Sequence, residues 1–432
     1  MQQSRMVDAP LTWEEIRTHD NMSDLWIVID GYVYDLSAWA RRHPGGQKVL
    51  EFYGGQDATE AWLSFHNDKT LVQKYMKPLC LGKLEGENPQ ESDPIRKDFR
   101  QLRETAEKMG LFQPNYWFYA AHLAHIMLIY LAAYLTNLYG GDGFMAVLLS
   151  GILLATGQQQ AGWLQHDFGH LSVFKTMWME NLWHLITIGL LKGASSGLWR
   201  DFHYRHHAKT NVMEKDPDIL EPPLFVIGDI MPVEEAKKSK KTLPYNFQHL
   251  YYIVVTVIWL FVPYHSSVFL FSIRRQRWQD VAFSMSFYAV FLPLFLPQLG
   301  LSKTIMLYIV MRALESQWYC WVTQMTHTGM GVGREKNESW MAMQMNGTFN
   351  VEQGLFNDWF TGHLNSHIEH HLFPTMPRHN FYKISPLVKS VCKKHGLDYE
   401  VKSLGEAFAN ILSFLKKSGA VWQTARSSIS QY

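Results

Sequence analysis

His203-Tyr204-Arg205-His206-His207 and His367-Ile368-Glu369-His370-His371 are the two stretches from which the arrangement of the whole chain follows. Residues three and four apart share one face of a helix, so each stretch aims two or three imidazoles at a single point. A third set, His166-Asp167-Phe168-Gly169-His170, repeats the spacing, and His327 and His363 stand apart from it. Ten of the twenty histidines fall in these places, which packing or solvation explains poorly. Together they can enclose more than one ion. Imidazole suits iron, zinc, copper and nickel, and no cysteine or dense carboxylate set competes for another metal. The clusters can share a site only if they lie on one side of whatever the intervening apolar runs cross.

Two such runs, residues 116–139 and 144–164, meet the length of about 20 mostly apolar residues that a membrane-spanning helix needs. The link between them, Gly140-Gly141-Asp142-Gly143, has no Lys or Arg, while both outer flanks carry several. Basic loops stay cytosolic, so the link is expected in the lumen and the flanks in the cytosol. Residues 182–199 are apolar but interrupted by Lys192-Gly193-Ala194-Ser195-Ser196-Gly197. A full crossing there would separate the first two histidine clusters, so this segment is expected to lie in or dip into the interface. Three more runs follow, 250–273, 281–299 and 304–323, and an even number must cross if the last histidines are to rejoin the others. Arg274, Arg275 and Arg277 sit just after the first run. The crossings are therefore assigned to 281–299 and 304–323, with 250–273 largely interfacial. The expected fold is a soluble α+β domain followed by an all-α integral membrane domain with about four transmembrane helices and a cytosolic histidine-rich cap.

Composition agrees. A net charge of +1 argues against nucleic-acid binding, which wants a strongly basic stripe. Sixteen tryptophans and 14% aromatics fit a membrane protein with interfacial belts. Cys80, Cys320 and Cys392 are far apart, with neither metal nor disulfide spacing, as in a reducing compartment. Met1 to Asp20 lacks the apolar core of a signal peptide, so the first domain is expected in the cytosol. That domain covers residues 1–86. Thr12-Trp13-Glu14-Glu15 has a capping-box pattern, and residues 25–35 read as a hairpin turning at Asp30-Gly31. A polar linker (residues 86–94) and an amphipathic helix (about 95–109) fill 87–115, and the membrane domain spans 116–432.

Arg42-His43-Pro44-Gly45-Gly46, then Asp57-Ala58-Thr59-Glu60-Ala61 and His66, resemble cytochrome b5 over this first domain, Trp26 and the hairpin included. Two histidines on opposing elements can clamp haem b axially, which leaves no open position for oxygen and suits electron transfer. His43 and His66 are the expected ligands. With that module in front, the HxxxH, HxxHH and terminal HH boxes resemble the front-end fatty acyl desaturases, along nearly the whole chain. Asn357-Asp358-Trp359-Phe360-Thr361-Gly362-His363-Leu364-Asn365 and His370-His371-Leu372-Phe373-Pro374 are especially similar to the animal delta-6/delta-5 members. The resemblance implies two non-haem iron ions bound by His166, His170, His203, His206, His207, His327, His370 and His371. His367 stands where front-end members usually carry glutamine. It is included as a ninth ligand because stearoyl-type relatives have histidine there, and His363 is a further candidate. The resemblance also implies O2 and electrons from NADH-cytochrome b5 reductase through the b5 module. It implies a polyunsaturated fatty acyl-CoA or acyl-lipid substrate, and an endoplasmic reticulum membrane location with both termini cytosolic. A new double bond would form between an existing one and the carboxyl end.

Asp167, Asp201, Asp216 and Glu369 are candidates to orient the rings. Arg200, Lys209 and Lys215 are candidates to meet the phosphates of a thioester head. Three other readings stay open on the residues alone: a b5-fused hydroxylase, a sphingolipid desaturase on the same scaffold, and a membrane electron carrier or zinc transporter without oxygen chemistry.

Overall fold

The computed structural model describes residues 11–86, 92–238 and 242–429. Most of the expected linker, residues 87–91, and the first ten residues lie outside them.

In the first domain Thr12 caps the helix Trp13–Ile16, its side chain accepting from the Glu15 N–H at 3.4 Å. Strands β1 (Asp20–Asn21), β2 (Asp24–Ile29), β3 (Tyr32–Asp35) and β4 (Cys80–Lys83) form one antiparallel sheet in that order. The β2–β3 hairpin pairs Ile29 with Tyr32. Its turn holds Asp30 at φ 49° and Gly31 at φ 73°, the doubly left-handed turn that matches strand twist. Both faces of β2 are covered. Trp26 and Val28 pack with Leu11, Ile16 and Leu84. Leu25, Ile27 and Ile29 instead join a cluster that runs through Phe52, Tyr53 and Trp62 into Tyr204, Trp340, Ile368 and Phe373 of the second domain. The two domains thus share one apolar core.

Helix α1 (Pro94–Lys108) starts on an Asp93 cap and leads to α2 (Tyr116–Gly140) and α3 (Phe144–Gly169), which pack antiparallel. A Cβ on Gly157 of α3 would sit 2.4 Å from the Tyr130 ring of α2. Only glycine allows that approach. Helix α3 runs past its apolar stretch, so its final turn carries His166. Residues 182–199 are broken as expected: a helix to His184, a wide turn Leu185–Leu190, an irregular stretch, then α4 (Ser196–Ala208). Residues 250–273 also bend, at the wide turn Leu260–Tyr264 containing Pro263, where proline cannot continue the helical ladder. Helix α5 (Trp278–Gln324) is two legs, since Gly300 is non-helical at φ 67°, ψ 174°. Tyr288 and Tyr308, one on each leg, meet hydroxyl to hydroxyl at 3.0 Å.

Two helices among the described residues are long and apolar enough to cross a membrane, α2 and α5. Because α5 folds back on itself and α3 packs along α2, the domain has the four antiparallel legs expected. One feature was not anticipated. Lys192, in the irregular stretch, ion-pairs with Glu315 of α5. Arg312 bonds Glu315 at 2.7 Å and the Lys192 carbonyl at 2.9 Å. All three side chains are buried. Charges inside such a domain must be paired, and here the pairing ties the interrupted segment to the last leg.

Candidate metal centre

Three elements deliver the imidazoles to one place above the four legs: the last turn of α3, helix α4, and α6 (His367–Leu372). The helical spacing of each works as the sequence suggests. His166, His170, His203 and His370 offer nitrogens within 4.8 Å of one another, as do His206, His327 and His371, and His207, His370 and His371. The groups overlap at His370 and His371. His327, just beyond α5, enters from a fourth direction.

Ring nitrogens bound to one ion at about 2.1 Å and at right angles lie about 3.0 Å apart. The distances here match. Nε2 of His203 is 3.1 Å from His166, 2.9 Å from His170 and 3.1 Å from His207. Nε2 of His327 is 3.1 Å from His206 and 2.8 Å from His367. Nε2 of His370 and of His371 is buried with no protein partner, a costly state unless something else occupies it. The donor set fits two metal ions.

The outward nitrogens show how the rings are aimed. His206 Nδ1 donates to Asp216 at 2.9 Å, His327 Nδ1 to the Gly347 carbonyl at 2.8 Å, and His367 Nδ1 to the Leu364 carbonyl at 3.0 Å. His371 Nδ1 donates to Gln344 Oε1 at 2.9 Å, while the Gln344 amide is fixed on the His207 carbonyl at 2.8 Å. Asp218 lies 3.9 Å from His203 Nδ1. Such partners set the tautomer and direction of a ligand. Burial holds His207, His370 and His371 well below the usual imidazole range and pushes His367 down to about 3. Burial would lower His206 too, but the Asp216 carboxylate overrides it and raises the ring. Neutral imidazoles are what a metal requires.

Several expectations need correcting. Of the four acids, Asp216 orients a ring. Asp167 pairs instead with Arg378 at 3.2 Å, Asp201 with Arg205 at 2.8 Å, and Glu369 accepts from Tyr399 and Asn350. His363 takes a left-handed backbone, φ 66°, ahead of α6. Its ring turns to Phe118, in a cavity of about 510 Å³ that Arg378 and His379 also line. The cations are engaged internally. Lys209, 3% exposed, binds Gln56 and Glu335, Lys215 binds the same Glu335, and Arg200 bonds Asn181 and the Phe168 carbonyl. Lys209 fastens the two domains, while Arg200 and Lys215 are held by residues of the second domain.

In the first domain the His43 and His66 ring centroids are 6.2 Å apart. Two axial nitrogens at about 2.0 Å from one iron would put the centroids about 6.3 Å apart, so the pair fits a haem. Each Nδ1 is anchored on a backbone carbonyl, Gly46 at 3.2 Å and Trp62 at 2.9 Å. Burial pushes His43 down to about 4 and lowers His66.

Comparison with known proteins agrees with this geometry. Residues 142–403 match the model of the family described as fatty acid desaturase, and residues 12–85 that of the cytochrome b5-like haem/steroid binding domain. Fatty acid desaturase 3 of Homo sapiens is 42% identical over 425 residues, 96% of this chain and 95% of its own length. Among solved structures, the cytochrome b5 of Ostreococcus tauri virus 2 is 33% identical over 18% of this chain and 96% of its own, with a TM-score of 0.17. The b5-like domain binds haem, and the desaturase domain uses a di-iron centre that the histidine groups fit. A membrane-bound oxidoreductase of lipid metabolism with its own haem module, the chain belongs to the fatty acid desaturase family.

Proposed function

We propose that this protein is a front-end desaturase of the delta-6/delta-5 type. It makes a cis double bond between an existing double bond and the carboxyl end of a long-chain polyunsaturated fatty acyl group. The carrier is CoA or a lipid, O2 is the oxidant, and electrons arrive from NADH-cytochrome b5 reductase through the chain's own haem. The observation that carries this reading is the convergence of the histidine groups beneath a docked haem domain.

His43 and His66 would hold the haem. His166, His170, His203, His207 and His370 would hold one iron, and His206, His327, His367 and His371 the other, with His370 and His371 near both. Bound irons supply the oxidising power, drawn from O2, to remove hydrogens from unactivated carbons. What the chain contributes is orientation and dryness. Asp216, Gln344 and the Gly347 and Leu364 carbonyls hold the rings with their free nitrogens inward. Buried walls, with Trp199 against His166 and His203, keep water away. Regiochemistry would follow from an acyl chain held so that one pair of methylenes faces the irons. The domains are assigned as 1–86, 87–115 and 116–432. Both termini are assigned to the cytosol on the strength of the basic flanks, and the membrane to the endoplasmic reticulum.

Expression in a host without long polyunsaturated acids, fed one precursor at a time, tests the reading. Mass spectrometry should locate a new double bond on the carboxyl side of an existing one. A hydroxylated product, a modified long-chain base, or a bond towards the methyl end would refute it.

A further inference from the structure

The haem domain is built into the cap. Tyr53 Oη donates to the Ala208 carbonyl at 2.8 Å, Thr375 Oγ1 to the Ser64 carbonyl at 3.1 Å, and the Trp340 N–H to Glu60 at 2.8 Å. Arg96 bonds the same carboxylate at 3.1 Å. At the centre of this contact stands Phe65, next in the chain to His66. Its ring centroid is 5.6 Å from Trp340, 6.1 Å from Tyr204 and 6.5 Å from His207, the last at an interplanar angle of 84°. Tyr204 Oη donates to the Gly169 carbonyl at 2.5 Å, and its ring centroid is 6.1 Å from that of His170. On its other side a Cβ at Gly45, two positions from His43, would lie 3.5 Å from Tyr204 Cδ2. Both haem-ligand loops therefore reach the Tyr204 ring, and Phe65 and Tyr204 each lie against a histidine of the metal centre.

We infer that Phe65, backed by Tyr204, is the contact through which electrons pass from the haem to the histidine-bound irons. The inference rests on the proposal that the chain's own haem is the donor. From His66 the path needs one peptide link and one ring-to-ring contact to reach His207. Electron tunnelling weakens with distance and weakens faster across gaps or water than through packed atoms, and here Phe65, Tyr204 and Trp340 belong to one apolar cluster. Phe65 has no accessible redox state, and the Tyr204 hydroxyl faces a carbonyl rather than a base. Both rings act as a medium and not as stations. Each passage takes one electron from a ferrous haem, leaving it ferric, and reduces one iron of the centre from ferric to ferrous. Two passages, with two protons, one O2 and the two hydrogens of the acyl chain, account for one double bond and two waters.

The test uses the full chain, loaded with haem and iron, reduced by NADH and soluble reductase. It is then mixed rapidly with O2 and linoleoyl-CoA, or whichever fed precursor gives product. Haem absorbance reports reoxidation, and the rate without acyl substrate is subtracted. Phe65→Leu should keep the haem spectrum, haem potential and iron content while slowing substrate-dependent reoxidation by about tenfold or more, the scale of a lost close contact. Phe65→Tyr should restore most of the rate, and Tyr204→Leu should slow it independently should Phe65→Leu not fold. Reoxidation at the wild-type rate in a folded, fully loaded Phe65→Leu or Tyr204→Leu protein would overturn the inference and leave the donor role of the haem standing. A wild-type haem that substrate and O2 never reoxidise would overturn both.

Discussion

Replacing Asp216 by Asn probes how the second ring of acceptors holds the irons. The buried Asp216 carboxylate makes four contacts with three donors. Oδ1 takes His206 Nδ1 at 3.0 Å and the Asp218 N–H at 2.8 Å, and Oδ2 takes His206 Nδ1 at 2.9 Å and the Asn211 N–H at 2.7 Å. An asparagine amide must turn its NH2 towards one of those backbone N–H groups, donor against donor. The side chain then rotates or the loop moves, and the His206 ring loses its fixed direction. A hydrogen bond to a charged group contributes about 1.5–3 kcal/mol, and loss of a ligand's outer partner lowers metal affinity by about 10–100-fold. Asp216→Asn should therefore lower bound iron per haem, measured by plasma emission on purified protein after dialysis against a weak chelator, with product formation falling in step. Asp201→Asn is the matched control, because Asp201 bonds Arg205 and no ring of the centre. Wild-type iron content in Asp216→Asn, or equal loss in Asp201→Asn, would refute the reasoning.

Four further outcomes are expected. His203→Ala and His370→Ala should abolish product while leaving the b5 absorbance intact, whereas His43→Ala should remove the haem signal with the non-haem iron retained; spectra and metal content of the purified variants distinguish them. Glu315→Gln leaves Lys192 and Arg312 buried without their shared carboxylate. It should cost about 3–5 kcal/mol, seen as earlier unfolding in a detergent melt, while Lys209→Met should leave the KM for the acyl substrate unchanged because Lys209 is held by Glu335. Gly157→Leu should splay α2 from α3, since even a Cβ there would sit 2.4 Å from Tyr130, and lower both yield and melting temperature.

The parts of this molecule that obey a period were legible in the sequence. The three- and four-residue spacing put His203, His206 and His207 on one inward surface, and the Asp30-Gly31 pair marked its hairpin. Requiring one shared side for the histidines gave the four legs, including the fold-back that Gly300 makes within a continuous apolar stretch. Partners chosen by tertiary contact were not legible. Gln344 and the carbonyls of Gly347 and Leu364 carry no signal that separates them from any other amide, although they aim three of the rings. His363 has the right spacing from His367 but precedes the helix, so helical geometry does not govern where it points. Lys192 looked like a break in an apolar run because its acid is more than a hundred residues away. Arg200, Lys209 and Lys215 looked free for a ligand because nothing local reveals that Glu335, Gln56 and Asn181 come to meet them.

Iron-edge anomalous diffraction, or cryo-electron microscopy, of the protein loaded with haem and non-haem iron bears most directly on the dinuclear centre. Beside the haem iron, two peaks should appear inside the cage, one bounded by His166, His170 and His203 and the other by His206, His327 and His371, with His370 and His371 near both. A single peak, zinc in place of iron, or metal lying outside these rings would contradict it.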